Sequence, residues 1–431
     1  MAIIERRRYL ERLIKLRCNG QVKIITGIRR CGKSFLLNRI YRDWLIHDGI
    51  DVSQLIMLDL DDNLNARYRN PVELSAYLRA NIKETNKQYF ILLDEIQRVM
   101  PVPNPYLGGD KIGFVDVLNG LKNLPNVDIY VTGSNSKMLS SDIVTEFRGR
   151  GDIISLSPLT FDEFYAAYPK EKSHAWREFI TYGGMPKLLS MESHEDKTQY
   201  LSDLFRLIYV KDVIERNHLK ADESLLDELL NVISSSVGSL TNPTKIADTF
   251  QTVKKVKVKN ETISRYLDCF IDAFLLHKAF RYDIKGRAYV ETPLKYYFAD
   301  IGLRNAKINF RQHEESHIME NVLYNELKAR GFSIDVGIVP TRVKDEEGKM
   351  RLSQLEIDFV LNKGARRYYI QSTLSVAEEN KRLQEVKSLN RIDDSFAKIV
   401  IVKDDIIPWT DERGVQYVNV QDFLLGRIDE L

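Results

Sequence analysis

"GIRRCGKSFLLNRI", Gly27 to Ile40, sets glycines at 27 and 32 ahead of Lys33 and Ser34. This completes the pattern G-x-x-x-x-G-K-[ST], in which glycines let backbone N–H groups curl round a phosphate, a lysine meets its outer oxygens and a hydroxyl ligates Mg²⁺. The helix opened by such a loop turns its positive end to the anion. The competing reading is a glycine turn that happens to carry a lysine. The flanks separate the two: "QVKIIT" before the loop is a short apolar, β-branched run, and "SFLLNRIYRDWL" after it repeats apolar residues at helical spacing. A strand, a loop and a helix in that order are the setting the phosphate cradle needs. Gly27, Ile28, Arg29, Arg30, Cys31, Gly32, Lys33, Ser34 and Phe35 are therefore the candidate nucleotide contacts.

The whole chain limits what this cradle serves. Its 431 residues, 44% hydrophobic, exceed what one core holds, so several domains are expected. The 63 basic and 61 acidic residues nearly cancel, and no global field argues for nucleic acid. Three scattered cysteines, Cys18, Cys31 and Cys269, make neither a disulfide framework nor a four-ligand zinc site. The charged opening "MAIIERRRYLERLIKLRCNG" lacks the apolar core of a signal peptide, and no later run approaches the ~20 apolar residues of a membrane span. A cytoplasmic protein with no membrane partner is expected.

A phosphate cradle wants a second element on a neighbouring strand, an apolar run ending in an acid that holds Mg²⁺ through water. "QYFILLDEIQRV" supplies it: Phe90 to Leu93 read as a fully buried strand, Asp94 ends it, and Glu95 follows where a base polarises attacking water. A third apolar strand, "VDIYVTGSNSKML", ends in Ser134 and Asn135, which either sense the γ-phosphate from between the other two strands or cap a helix. In "EFRGRGDIISLSPLTFDEF", Arg148 and Arg150 flank a glycine; they are either transition-state cations or a solvated basic turn.

These four stretches, in this order, resemble the AAA+ superfamily of P-loop ATPases. They are closer still to a prokaryotic family in which an AAA domain precedes a domain of unknown function and a degenerate nuclease-like tail. The resemblance is specific over roughly residues 1 to 220. It implies ATP and Mg²⁺ as cofactors, with Lys33 and Ser34 on nucleotide and metal, Asp94 on Mg²⁺ and Glu95 in hydrolysis. It also implies Ser134 or Asn135 as sensor, Arg148 or Arg150 as arginine finger, and a homo-oligomer. No N-K-x-D element reads guanine, so adenine is expected.

The expected architecture is α/β. A P-loop NTPase parallel sheet spans 1–165, a helical lid 166–221, a winged-helix region 222–310 and a small restriction-nuclease-like α/β domain 311–431. "HAWREFITYGGMPKLL" carries a two-glycine turn that is either the lid connection or an ordinary linker. "SLLDELLNVISSSVG", "NPTKIADTFQ" and "NETISRYLDCFIDAFLLHKAF" read as three helices, followed by two strands round a turn at Lys285–Gly286. The third helix could enter a major groove, and Lys254, Lys255, Lys257 and Lys259 stand just ahead of it; a solvated loop or a protein contact is the alternative. In the tail, Glu320 on a helix with Asp358 and Gln371 on a hairpin follow the restriction-nuclease layout. Gln371 stands where an acid is expected and Thr373 where the lysine should be, removing a ligand charge and the activating cation.

Three functions from different classes follow. The leading one is an ATP-driven switch or motor acting on DNA or a partner protein. An ATP-regulated nuclease and a nucleotide-gated scaffold with slow hydrolysis are the alternatives.

Overall fold

The computed structural model describes residues 3–133, 151–219, 223–311, 314–344 and 349–431. The chain divides into two compact units, Met1–Pro158 with Asp272–Phe274, and Leu159–Ile271 with Leu275–Leu431. Among the described residues no helix is long and apolar enough to cross a membrane.

The first unit is built on five parallel strands: β1 (Val22–Thr26), β2 (Leu55–Asp59), β3 (Tyr89–Asp94), β6 (Val127–Gly133) and β7 (Gly151–Ser155). β4 (Val102–Pro103) and β5 (Lys111–Ile112) form a small separate hairpin. The sheet order is β2-β3-β6-β1-β7. β1 and β3 are buried at every position, as strands covered on both faces must be. On one face, Leu74 and Leu78 of helix Pro71–Asn81 join Phe114, Leu118 and Leu121 of helix Phe114–Lys122 against Ile24, Ile91, Leu93 and Val131. On the other, the helical run of Lys33–Phe35, Leu36–Tyr41 and Arg42–His47 sets the Tyr41 ring 4.7 Å from that of Tyr130.

β6 lies between β1 and β3 and pairs in parallel with both. Two buried parallel strands carry the same hydrophobic signature whether or not they touch, so adjacency is not written in either one. The third strand does lie between the other two, as expected.

In the second unit, helix Ile301–Lys307 packs on helices Lys172–Tyr182 and His194–Ile208. The two-glycine turn is a clasp on that helix. Gly183 takes φ 80°, the Gly184 N–H donates to Asp300 Oδ2 at 2.7 Å, and a Cβ on Gly302 would lie 1.8 Å from the Tyr182 carbonyl oxygen. Burial pushes the Asp300 carboxyl up to about 6, with the backbone N–H groups of Gly184, Leu303 and Gly302 opposing.

Helices Glu223–Ser235, Pro243–Thr249 and Asn260–Asp272 precede β8 (Leu276–Asp283) and β9 (Ala288–Phe298), which pair antiparallel. This hairpin is no free wing: β8 also pairs in parallel with β10 (Ser333–Lys344). With β11 (Met350–Lys363), β12 (Arg366–Thr373), β13 (Ala397–Val402), β14 (Trp409–Thr410) and β15 (Val415–Asn419) it completes eight strands ordered β14-β15-β13-β12-β11-β10-β8-β9. An unpaired strand edge is satisfied most simply by another strand, and β10 satisfies that of β8.

Candidate nucleotide site

The strand ends determine the site. Thr26 of β1 lies opposite Gly133 and Ser155, and Leu93 opposite Val131, so Thr26, Asp94 and Thr132 reach the carboxyl edge of the sheet together. Ligands of open parallel sheets bind at that edge.

Gly27 is required by its surroundings: its φ is 149°, and a Cβ would come within 2.2 Å of the Leu156 carbonyl oxygen. The loop then passes through left-handed backbone at Arg30 (φ 61°) and Gly32 (φ 105°). Alternation of this kind turns successive N–H groups toward an anion. Ile28 and Cys31 are buried, Arg29 is half-buried, and Arg30, Ser34 and Phe35 are exposed. Lys33 is buried and folds back over the loop, donating from Nζ to the carbonyl oxygens of Gly27 at 3.0 Å and Ile28 at 3.1 Å.

Asp94 is buried and held at both oxygens. The Thr132 hydroxyl donates to Oδ1, and Asn38 Nδ2 donates to Oδ2 at 3.3 Å. The same Thr132 oxygen accepts the Glu95 N–H at 3.0 Å. Glu95 takes left-handed backbone at φ 54°, a strained conformation for a residue with a side chain, and its carboxylate accepts from Gln97 Nε2. Burial pushes the Glu95 carboxyl up; Asp94 adds to this, while Lys33, Gln97 and Arg29 oppose it. A carboxylate raised this way is a stronger base near neutral pH.

Sequence reading alone does not single out Thr132 or Asn38. Their faint signals are a threonine closing an otherwise apolar strand and an asparagine inside the helix that follows the cradle. Replacing Thr132 by valine should keep the volume and orphan both the Asp94 oxygen and the Glu95 N–H, costing about 1–3 kcal/mol. Serine at the same position should cost about 1 kcal/mol. Urea denaturation of the two variants checks this, and equal losses would remove the hydroxyl's role.

Ser34 and Asp94 fit a hard cation, since both offer oxygen. Among the described residues no three His, Cys, Asp or Glu side chains could hold a metal. Mg²⁺ needs no such cage, because it keeps waters and takes oxygens from bound phosphate. Ser134, Asn135, Arg148 and Arg150 lie outside the described residues.

In the second unit, Lys255, Lys257 and Lys259 are exposed ahead of helix Asn260–Asp272; the side chain of Lys254 lies outside the described ones. Glu320, Asp358 and Thr373 are buried, and Gln371 is half-buried with an Oε1 that accepts no hydrogen bond among the described residues. β11 and β12 pair Phe359 with Ile370, which sets Asp358 and Gln371 side by side one step on. The positive charge missing at Thr373 is present on another strand: Lys295 of β9 donates to Glu320 Oε1 and Glu356 Oε1, each at 2.7 Å. Burial opposes the Lys295 ammonium, but Glu320, Asp358 and Glu356 outweigh it and hold its pKa well above the usual lysine range. Burial raises Asp358 to about 7, with Glu320 adding to the rise and Lys295 and Ser372 opposing.

Residues 19–165 match a family model described as an AAA domain, and residues 173–314 one described as Domain of unknown function (DUF8612). The chain is 32% identical over 429 residues to an uncharacterized protein of Haemophilus influenzae, covering 98% of this chain and 99% of that protein. It is 28% identical over 424 residues to an uncharacterized protein of Methanocaldococcus jannaschii, covering 94% and 85%. Among solved structures, the Aeropyrum pernix ORC1 protein in complex with DNA aligns at 12% identity and TM-score 0.29, covering 72% of this chain and 93% of that one. AMPPCP-bound DnaA from Aquifex aeolicus aligns at 13% identity and TM-score 0.31, covering 61% and 85%.

Proposed function

This chain belongs to the prokaryotic AAA+ P-loop ATPases, in one family with the Haemophilus influenzae protein that it matches nearly end to end, and from that premise we propose that it binds and hydrolyses ATP to drive a change in bound DNA or a partner protein. The observation that carries this reading is the Asp94–Thr132–Glu95 arrangement at the sheet edge: one hydroxyl orients the metal-binding acid and anchors the backbone of the base.

Lys33 leaves the carbonyls of Gly27 and Ile28 to meet the β- and γ-phosphate oxygens, and the loop N–H groups bind the β-phosphate. Ser34 and Asp94 would hold Mg²⁺, which would supply positive charge against the phosphate oxygens on which negative charge develops. Glu95 polarises the attacking water, and burial matches its basicity to that task. Ser134 or Asn135 senses the γ-phosphate. Arg148 or Arg150, supplied by a neighbouring copy, couples hydrolysis to a homo-oligomer. The ATPase core spans 1–165, the lid 166–221, a winged-helix region 222–310 whose hairpin joins the sheet of the tail, and a degenerate nuclease-like domain 311–431.

ATPase rates with and without DNA test the reading. If the nucleic acid lies along the lysine run and helix Asn260–Asp272, changing Lys254, Lys255, Lys257 and Lys259 to alanine should weaken DNA binding and lower the slope of log K against log salt by about 3–4, one unit per lost phosphate contact. An unchanged slope, with DNA still stimulating turnover, would move the contact elsewhere; no DNA effect at all would make the substrate a protein.

A further inference from the structure

One face of the tail sheet is covered over only part of its width. Val386, Leu389 and Ile392 pack there against Val339, Val360, Tyr369 and Val400. Strand register carries the same face on past that cover. Tyr289 of β9 pairs with Tyr282 of β8, Phe280 of β8 with Asp335 of β10, and Asn362 of β11 with Arg367 of β12. Because side chains alternate, Lys278, Phe280 and Tyr282 all lie on this face of β8. Phe396 stands just ahead of β13, two residues before Lys398, which pairs with Tyr369.

These side chains make a continuous row of ring and cation contacts across adjacent strands. The Lys278 ammonium lies 5.2 Å from the centre of the Phe280 ring. The Tyr289 ring meets that of Phe280 at 81° and that of Tyr282 at 66°. The Arg367 guanidinium then lies 5.5 Å from the Tyr282 ring and 5.5 Å from the Phe396 ring. Phe280, Tyr289 and Phe396 are 46%, 63% and 39% exposed. The carboxylates of the row are turned inward. Asp335 is 4% exposed and accepts the Tyr289 hydroxyl at 3.2 Å, and Asp394 accepts the Tyr369 hydroxyl at 2.6 Å and the Phe396 N–H at 3.2 Å. Asp283 accepts the N–H groups of Lys285 and Gly286, and Lys398 donates to the Ile392 carbonyl. Exposed Glu291 and Asp393 border the row, as do exposed Lys285, Arg287 and Arg391. Charge around it is close to balanced, so the rings and not a field must hold a ligand.

We propose that this row is a stacking platform for single-stranded nucleic acid, with bases packed on Phe280, Tyr289 and Phe396 and phosphates met by Lys278 and Arg367.

Neighbouring strands lie about 4.8 Å apart, so the row offers successive π-faces along a line of roughly 20 Å. A sheet face with aromatics on neighbouring strands suits splayed bases, which a duplex keeps stacked on one another. Base–aromatic stacking tolerates any sequence, and cations set between rings add to it. The platform stands on different elements from the lysine run ahead of helix Asn260–Asp272 and needs no nucleotide, so it goes beyond the ATPase reading.

The test follows the fluorescence anisotropy of a labelled oligothymidylate of about 12 residues with nucleotide-free, full-length protein. Wild type should bind it at least about tenfold more tightly than the same strand annealed to oligoadenylate. Phe280→Ala and Phe396→Ala should each weaken binding by about 5- to 100-fold, the usual effect of losing one stacked base. Phe280→Trp should keep wild-type binding, whereas Phe280→Leu, apolar but without a π-face, should lose it; this second pair serves if an alanine variant does not fold. Two phosphate contacts give a shallow slope of log K against log salt, about −1.4, and Lys278→Gln with Arg367→Gln should remove most of it. Wild type that binds no single strand at about 100 μM protein overturns the proposal and leaves the face to a protein partner. So does binding that both alanine variants leave unchanged, or that leucine at position 280 supports as well as tryptophan. Equal affinity for the duplex, lost only when Lys254, Lys255, Lys257 and Lys259 are changed, overturns it too and puts the contact on the lysine run. ATPase rates measured without DNA should be the same in all these variants, so failure of the platform does not bear on the nucleotide site.

Discussion

Alanine at position 33 is expected to abolish ATP binding, raising the dissociation constant by about 100-fold or more, because Lys33 is the motif side chain that we propose to meet the β- and γ-phosphates. Glutamine at position 95 is expected to leave binding within about threefold and to slow hydrolysis by about 10²–10⁴, the usual contribution of a positioned general base. The pair separates roles that a single variant would confuse. Lys33 is buried against the loop carbonyls, so its loss also frees the loop, and binding should fall even for ADP. The Glu95 N–H is anchored on Thr132, so the amide should stand where the acid stood. Titration with a fluorescent ATP analogue, alongside phosphate release, checks both; undiminished turnover in either variant would sink the assignment of the site.

The second large effect lies at the other end of the same strands. Lys23 of β1 and Asp128 of β6 are fully buried and ion-paired, and Asp128 also accepts the Cys18 N–H at 2.8 Å and the Tyr130 hydroxyl at 2.8 Å. Removing one partner leaves an unpaired charge in the core. Lys23→Met and Asp128→Ala should each destabilise the first unit by about 3–5 kcal/mol. The double change Lys23→Met with Asp128→Leu should recover most of that loss, since apolar replacement of a buried pair is often neutral. Urea unfolding monitored in the three proteins measures it. Additive losses in the double variant would show that the two charges do not depend on each other.

This pair also marks where sequence reading stops. The run "QVKIIT" reads as a buried strand despite its lysine, and "VDIYVTG" despite its aspartate, but neither stretch says that the two charges meet. Likewise Thr132 and Asn38 serve Asp94 only because β6 lies beside β3 and the helix after the cradle crosses above them. Glu320, Asp358, Gln371 and Thr373 could be picked out by their resemblance to the restriction-nuclease layout, whereas Lys295 reaches Glu320 from β9, a strand assigned to a different part of the fold.

What the sequence determined by itself was local. The demand for glycine at 27, the apolar runs of β1, β3 and β6, the helical spacing after Lys33 and the acid pair at 94 and 95 each follow from the conformation and burial of a few consecutive residues. The parallel α/β sheet at the front of the chain could be inferred from them. Only the tertiary structure decided that the hairpin of β8 and β9 extends the sheet of the tail, and which buried charges neutralise one another. The physical reason is that strand pairing and ion pairing join groups through space. An inner parallel strand is covered on both faces and hydrogen-bonded on both edges, but any buried strand meets that need equally well, so the choice of neighbour comes from the packing of the whole chain.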